Sequence, residues 1–166
     1  AYPVAEDPEC LDPQIASPSS ALAVIANCME GLVRYDAQGN IVNAVAQSYT
    51  VSPDGLTYVF KLSDKSHWYT FDTIDELLGK DFDKTVTAND FVFALQRAVK
   101  KETNCPTVKN FFVIKNAQAV NSGTKPISEL GVRATDNFTL EISLEFAEAP
   151  LLDVLTTAPA MPCSEK

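Results

Sequence analysis

The sequence predicts an α+β fold in which antiparallel β-hairpins pack against helices, and three observations carry that prediction. Ser48–Ser52 and Leu56–Leu62 alternate around Pro53-Asp54-Gly55, with Leu56, Tyr58, Phe60 and Leu62 on one face and Thr57, Val59 and Lys61 on the other. Val132–Thr135 and Phe138–Glu145 alternate in the same way around Asp136-Asn137. The remaining stretches carry apolar residues three and four positions apart, the spacing of a helix with one buried face.

Taken in order, Leu11-Asp12-Pro13-Gln14 reads as an extended entry, because proline pushes the residue before it out of the α region. Ser19 or Ser20 then caps a helix with Leu22, Ile25, Ala26, Met29 and Leu32 inward and Cys28 in its middle. Gly31 is placed to close that helix in the left-handed conformation. Asp36-Ala37-Gln38-Gly39-Asn40 is a turn cluster. In the first hairpin, proline presets φ and glycine accepts positive φ, so Pro53-Asp54-Gly55 suits a tight or bulged connection.

Residues 66–85 predict a short acidic helix opened by a Thr73-x-x-Glu76 capping box, with Ile74, Leu77 and Leu78 as its stripe and Gly79 as its stop. Thr87-Ala88-Asn89-Asp90 is a second capping box, opening a helix to about Lys101 whose buried stripe is Phe91, Leu95, Ala98 and Val99. Asn104-Cys105-Pro106 breaks it. A third helix is predicted over Phe111–Asn121, with Ile114, Ala117 and Val120 inward and an end near Gly123. After the second hairpin, Pro150 opens a helix at Leu151–Leu155, and Pro159 and Pro162 stop it.

At 166 residues the chain reads as a single domain spanning 1–166. Its 13 basic and 22 acidic residues give a net charge of −9, which repels phosphates and argues against nucleic-acid binding. No apolar run approaches the ~18 residues of a membrane span. Cys10, Cys28, Cys105 and Cys163 form no Cys-x-x-Cys pair and His67 is the only histidine, so no zinc site is expected and the thiols read as free. Asp72, Asp75, Glu76, Asp81 and Asp83 lack the spacing of a calcium loop and read as a solvated face. No phosphate-cradling glycine loop, Gly-x-Ser-x-Gly elbow or His-Glu-x-x-His helix occurs. No cofactor is called for, and binding is favoured over catalysis.

Several motifs recur in a recognisable order. They are Leu11-Asp12-Pro13, Glu30-Gly31-Leu32, the Asp36-x-x-Gly39 turn, Asp54-Gly55-Leu56-Thr57-Tyr58 leading into Phe60, and Val86-Thr87-Ala88-Asn89-Asp90-Phe91. Ile114-Lys115-Asn116-Ala117, Gly131-Val132-Arg133-Ala134 and Thr139-Leu140-Glu141-Ile142 follow. In this order they resemble the start of an extracellular solute-binding protein of the oligopeptide- and dipeptide-binding type that serves ABC importers. The acidic stretch after Trp68 is an insertion relative to that pattern.

The resemblance implies part of lobe I of a two-lobed periplasmic-binding-protein-like fold, with the second lobe absent, so the chain reads as an amino-terminal fragment. It implies a monomeric, non-enzymatic receptor that closes on an oligopeptide and passes it to a membrane permease. It also implies a place outside the cell membrane, lipid-anchored in the full-length protein, or in the periplasm. The start at Ala1-Tyr2-Pro3, without a basic and apolar leader, is then read as following a removed export segment. Ligand-facing positions implied on this lobe are Ile15, Ala16, Ser17, Pro18 and Ser19, and Asn104, Cys105, Pro106 and Thr107. Ser17 stands where some relatives have an acidic residue and Thr107 where some have tyrosine. Nickel complexes, sugars and opines, carried on the same scaffold, are the alternative ligands, and an unrelated interaction module is the remaining reading.

Overall fold

A computed structural model of the chain describes residues 7–17, 19–79 and 82–165. The elements in order are α1 (Ser19–Cys28), β1 (Val33–Tyr35), β2 (Ile41–Asn43), β3 (Ala46–Val51), β4 (Thr57–Leu62), α2 (Asp72–Leu78) and α3 (Ala88–Val99). They continue with α4 (Ala117–Asn121), β5 (Val132–Asp136), β6 (Thr139–Ser143) and α5 (Leu151–Leu155). The α+β class holds, and the two predicted hairpins join into one antiparallel sheet of order β3-β4-β6-β5.

The join explains the core. Pairing of β4 with β6 sets Phe60 opposite Leu140 and Tyr58 opposite Ile142, and Phe60, Leu140 and Ile142 are fully buried. Helix α3 lies across β5 and β6 and buries Phe91, Ala94, Leu95, Ala98 and Val99 against them. Fully burying a side chain the size of Phe91, Leu95 or Val99 contributes about 1.5–3 kcal/mol relative to leaving it in water, so these residues outweigh the alanines beside them.

The turns follow their residues. Gly55 takes φ +71°, its N–H reaches the Ser52 carbonyl at 2.8 Å, and the Asp54 carboxylate accepts the Leu56 N–H at 3.0 Å. Asp36 accepts the N–H groups of Gln38 and Asn40 at 2.9 and 2.8 Å, and Gly39 takes φ +82°. This second turn joins β1 to β2, a short hairpin that the sequence pattern did not predict, because three-residue strands are too brief to show an alternation.

Several expectations are corrected. Gly31 is not left-handed: α1 stops at Cys28, and Gly31 lies where an added Cβ would sit 3.0 Å from the Leu155 carbonyl oxygen, so close backbone approach is what requires glycine there. Cys28 ends α1 in solvent rather than filling a mid-helix gap. Of the predicted stripe of α1, Ile25 is buried, whereas Leu22 is 38% exposed and Ala26 faces solvent. Ser19 and Ser20 are both inside the helix, and the predicted cap by either hydroxyl lies outside what is described. Helix α2 starts after Phe71 with no side-chain cap, so the Thr73–Glu76 box does not form, although Gly79 does end the helix at φ +82°. Of the acidic residues around it, Asp81 lies outside the described residues. The third helix is split: a 3-10 segment covers Val108–Val113, Asn116 turns left-handed at φ +64°, and only Ala117–Asn121 is α-helical. Ile114 bridges to Leu144 instead, which pins the break to the sheet.

At the start of α3 the capping box is present. The Asp90 carboxylate accepts the Thr87 N–H at 2.7 Å and the Thr87 hydroxyl at 2.9 Å.

Candidate functional site

The first predicted segment is held by a knot of polar groups on α3. Arg97, in the last turn of α3, donates to Asp12 through both terminal nitrogens, one at 2.6 Å to Oδ1, and to Gln14 Oε1 at 2.5 Å. Gln14 is fully buried and its amide nitrogen donates to the carbonyls of Pro159 and Met161 at 3.3 and 3.4 Å. The fork geometry of a guanidinium suits this task, since it meets a carboxylate with two bonds and still has a donor for the amide. The Arg97 hydrogen bonds hold the Asp12 carboxyl below its ordinary range, against the smaller opposing effect of burial. Cys163 lies beside Arg97, and its N–H reaches the Asp90 carbonyl at 3.3 Å. Burial raises that thiol above its usual value.

With Asp12 fixed, a tight turn follows, in which the Ala16 N–H donates to the Asp12 carbonyl at 2.8 Å. Ala16 is buried with Ala21, Ile25 and Met161, while Ile15 and Ser17 face solvent. Pro18 lies outside the described residues, and Ser19 is the first residue of α1. The second segment follows α3 after a 3-10 turn at Lys101–Thr103. Asn104 takes φ +53°, which turns the chain. Cys105 is buried in the main core and anchors the loop, leaving Asn104, Pro106 and Thr107 exposed.

Both segments are therefore tethered to the carboxyl end of α3, one through a side-chain knot and one through the chain itself. Among the described residues, no hydrogen bond or ion pair links one segment to the other. Their exposed members, Ile15, Ser17, Asn104, Pro106 and Thr107, carry no charge. A ligand meeting such a surface would find backbone groups, small polar contacts and water rather than ion pairs. Cys105 and Ala16 shape it from beneath. Among the described residues, no group of three or more His, Cys, Asp and Glu could hold a metal ion, and no helix is long and apolar enough to cross a membrane.

Sequence reasoning missed the anchoring residues Gln14 and Arg97. Their only signals were a polar residue directly after Asp12-Pro13 and an arginine near the end of a helix, both ordinary on a surface. It also missed a groove of about 740 Å³ between the end of α1 and Ser66–Tyr69, lined by Met29, His67, Trp68, Tyr69, Val86 and Pro162 among others. His67 forms an isolated backbone bridge with Thr85, in keeping with a structural role.

Comparison with known proteins adds what geometry alone does not. Residues 40–166 match the model described as bacterial extracellular solute-binding proteins, family 5 Middle. The oligopeptide-binding protein AmiA of Streptococcus pneumoniae is 33% identical over 165 residues, 99% of this chain and 24% of AmiA. A probable deoxycholate-binding periplasmic protein of Escherichia coli, YgiS, is 33% identical over 141 residues, 84% of this chain and 24% of YgiS. Among solved structures, the substrate-binding domain of an oligopeptide ABC transporter from Bacillus anthracis superposes with a TM-score of 0.82 at 37% identity, covering 93% of this chain and 28% of that one. The chain thus spans about a quarter of the length of the curated relatives it matches. The family is one of solute-binding proteins rather than enzymes, and it belongs to the extracellular or periplasmic space. On a match covering residues 40–166, the chain belongs to the bacterial extracellular solute-binding proteins, family 5.

Proposed function

We propose that this chain is the amino-terminal part of lobe I of a monomeric receptor that captures oligopeptides outside the cell membrane and delivers them to an ABC permease. The observation that carries the reading is the 33% identity to an oligopeptide-binding protein over 99% of the chain. The two segments at the carboxyl end of α3, Ile15–Ser19 and Asn104–Thr107, are the proposed contribution to the ligand site, with Ile15, Ser17, Asn104, Pro106 and Thr107 as their exposed described members. Peptides of varied sequence are best held through their backbone, with roomy wet pockets for side chains, and an uncharged surface shaped by loops suits that. No cofactor enters. A lipid anchor preceding Ala1 would keep the receptor at the membrane.

A second reading has one specific observation in its favour, the comparable identity to a probable deoxycholate-binding protein. The same lobe would then serve another small solute.

Calorimetry of the full-length protein with a mixed tri- to pentapeptide library, and separately with deoxycholate, distinguishes the two. Peptide binding at micromolar levels supports the first reading, and deoxycholate binding without peptide binding supports the second. On this reading, the groups that close over the ligand belong to the second lobe, outside residues 1–166. A loss of 4–6 kcal/mol of contact weakens binding by roughly a thousandfold or more, into the millimolar range. NMR shifts at Ile15–Ser19 and Asn104–Thr107 at millimolar peptide are the expected result for the chain.

A further inference from the structure

The two edges of the four-stranded sheet differ in a way that the proposed ligand site does not use. At β5 the strand is guarded: α3 packs against it, a bulge falls between Ala134 and Asp136, and Arg133 is engaged by Glu141 through two hydrogen bonds at 2.8 and 3.0 Å. At β3 a register shift falls at the Ala46–Ser48 end, but beyond it Ser48-Tyr49-Thr50-Val51 pairs in regular register with β4 and holds no charge and no proline.

The phase of the β3 ladder determines what this edge offers. The Ser52 N–H donates to the Thr57 carbonyl at 2.9 Å, so pairing exchanged with β4 recurs at Thr50 opposite Val59 and Ser48 opposite Lys61. The intervening residues, Tyr49 and Val51, turn their amides and carbonyls away from β4. No described hydrogen bond uses those four groups, whereas the Gln47 carbonyl accepts from the Asn43 side chain at 2.8 Å and closes the ladder at that end. Tyr49 and Val51 are 37% and 43% exposed, and the Tyr49 ring rests on Tyr58 and Phe60 with centroids 6.1 and 5.5 Å apart, which fixes this part of the strand.

We propose that the outer edge of β3 at Tyr49–Val51 is a strand-addition site for an extended polypeptide segment bearing basic residues. Two N–H and two C=O groups at alternate residues match an extended backbone and no compact solute. The net charge of −9 attracts a basic segment and repels a second copy of this chain. The site is separate from the loops proposed for ligand capture and stands or falls independently of them.

The test is an NMR titration of the labelled chain with the capped peptide Lys-Val-Thr-Val-Thr-Lys, repeated with the same peptide N-methylated at alternate residues. Saturable amide shifts centred on Tyr49 and Val51 are expected, weakened about tenfold or more by N-methylation. Val51→Pro removes an outward N–H without touching the bonds to β4, a place where an edge strand tolerates proline, and is expected to weaken binding by a similar factor while leaving the unfolding midpoint near that of the parent. Should that variant misfold, the N-methylated peptide still decides the matter. Equal binding of both peptides, shifts confined to Ile15–Ser19 and Asn104–Thr107, or a peptide-free dimer that protects the Tyr49 and Val51 amides would overturn the proposal.

Discussion

Helices α1 and α3 have similar lengths and similar apolar spacing, yet they end in opposite situations. Helix α3 buries Ala88, Phe91, Ala94, Leu95, Ala98 and Val99, and its face meets a four-stranded sheet. Among its described side chains, helix α1 buries only Ala21 and Ile25, in a small cluster with Ala16 and Met161. The comparison teaches that periodicity reports a face able to be buried, while topology decides what that face meets. The candidate ligand segments sit on both sides of this divide: Cys105 is rooted in the main core, and Ala16 in the small cluster.

The largest effect expected is at the centre of the main core. Phe91→Ala should cost about 3–5 kcal/mol, because a fully buried ring leaves a cavity between α3 and the sheet, whereas Ile25→Ala should cost nearer 2 kcal/mol since its small cluster can collapse. Urea unfolding of the two variants checks the ordering; equal losses would break the comparison.

Next in size is the knot that ties the two regions. Asp12→Asn removes a charge-assisted pair with Arg97, and because both side chains retain some exposure the expected cost is about 1–2 kcal/mol. The effect has a sign in pH. Asp12 has its carboxyl held down in the folded state, so its stabilisation is present above the unfolded value of about 4 and is lost as pH falls through the lower folded value. Stability of the parent and of Asp12→Asn should therefore converge below about pH 4, while Arg97 stays charged throughout. A gap that persists at low pH would contradict this account.

These two predictions show how much was legible. Phe91, Leu95, Ala98 and Val99 were readable because their spacing is helical and because Thr87 and Asp90 mark the start. Phe60 and Leu62 were readable from alternation. The pairing of β4 with β6 was not, because those strands are separated by 76 residues of chain from Leu62 to Thr139 and no local signal specifies which hairpin edges meet. The break at Asn116 was hidden because asparagine in a left-handed turn looks, in sequence, like any polar residue on a helix surface. For the candidate site, motif order pointed to Ile15–Ser19 and Asn104–Thr107, but the partners Arg97, Gln14 and the Pro159 carbonyl that position the first segment are distant in sequence and could only be found by folding.

A smaller effect is expected at the start of α3. Thr87→Ala removes the hydroxyl that donates to Asp90 while leaving the backbone bond to the same carboxylate, and a loss of about 1 kcal/mol should appear as a lowered denaturation midpoint. An unchanged midpoint would assign the cap to Asp90 and the backbone alone. The smallest effect belongs to α2. Leu77 is 78% exposed, so Leu77→Lys should change stability by no more than about 0.5 kcal/mol. A larger loss would show that the acidic segment contributes more to the fold than its exposure indicates.

Residue-resolved hydrogen exchange tests the division between the regions most directly. The amides of Phe60, Leu95, Leu140 and Ile142 should exchange only through global unfolding, tracking the denaturant dependence of the whole chain, while those of α1 and α2 should exchange orders of magnitude faster through local opening. Protection in α1 equal to that in α3 would contradict the account.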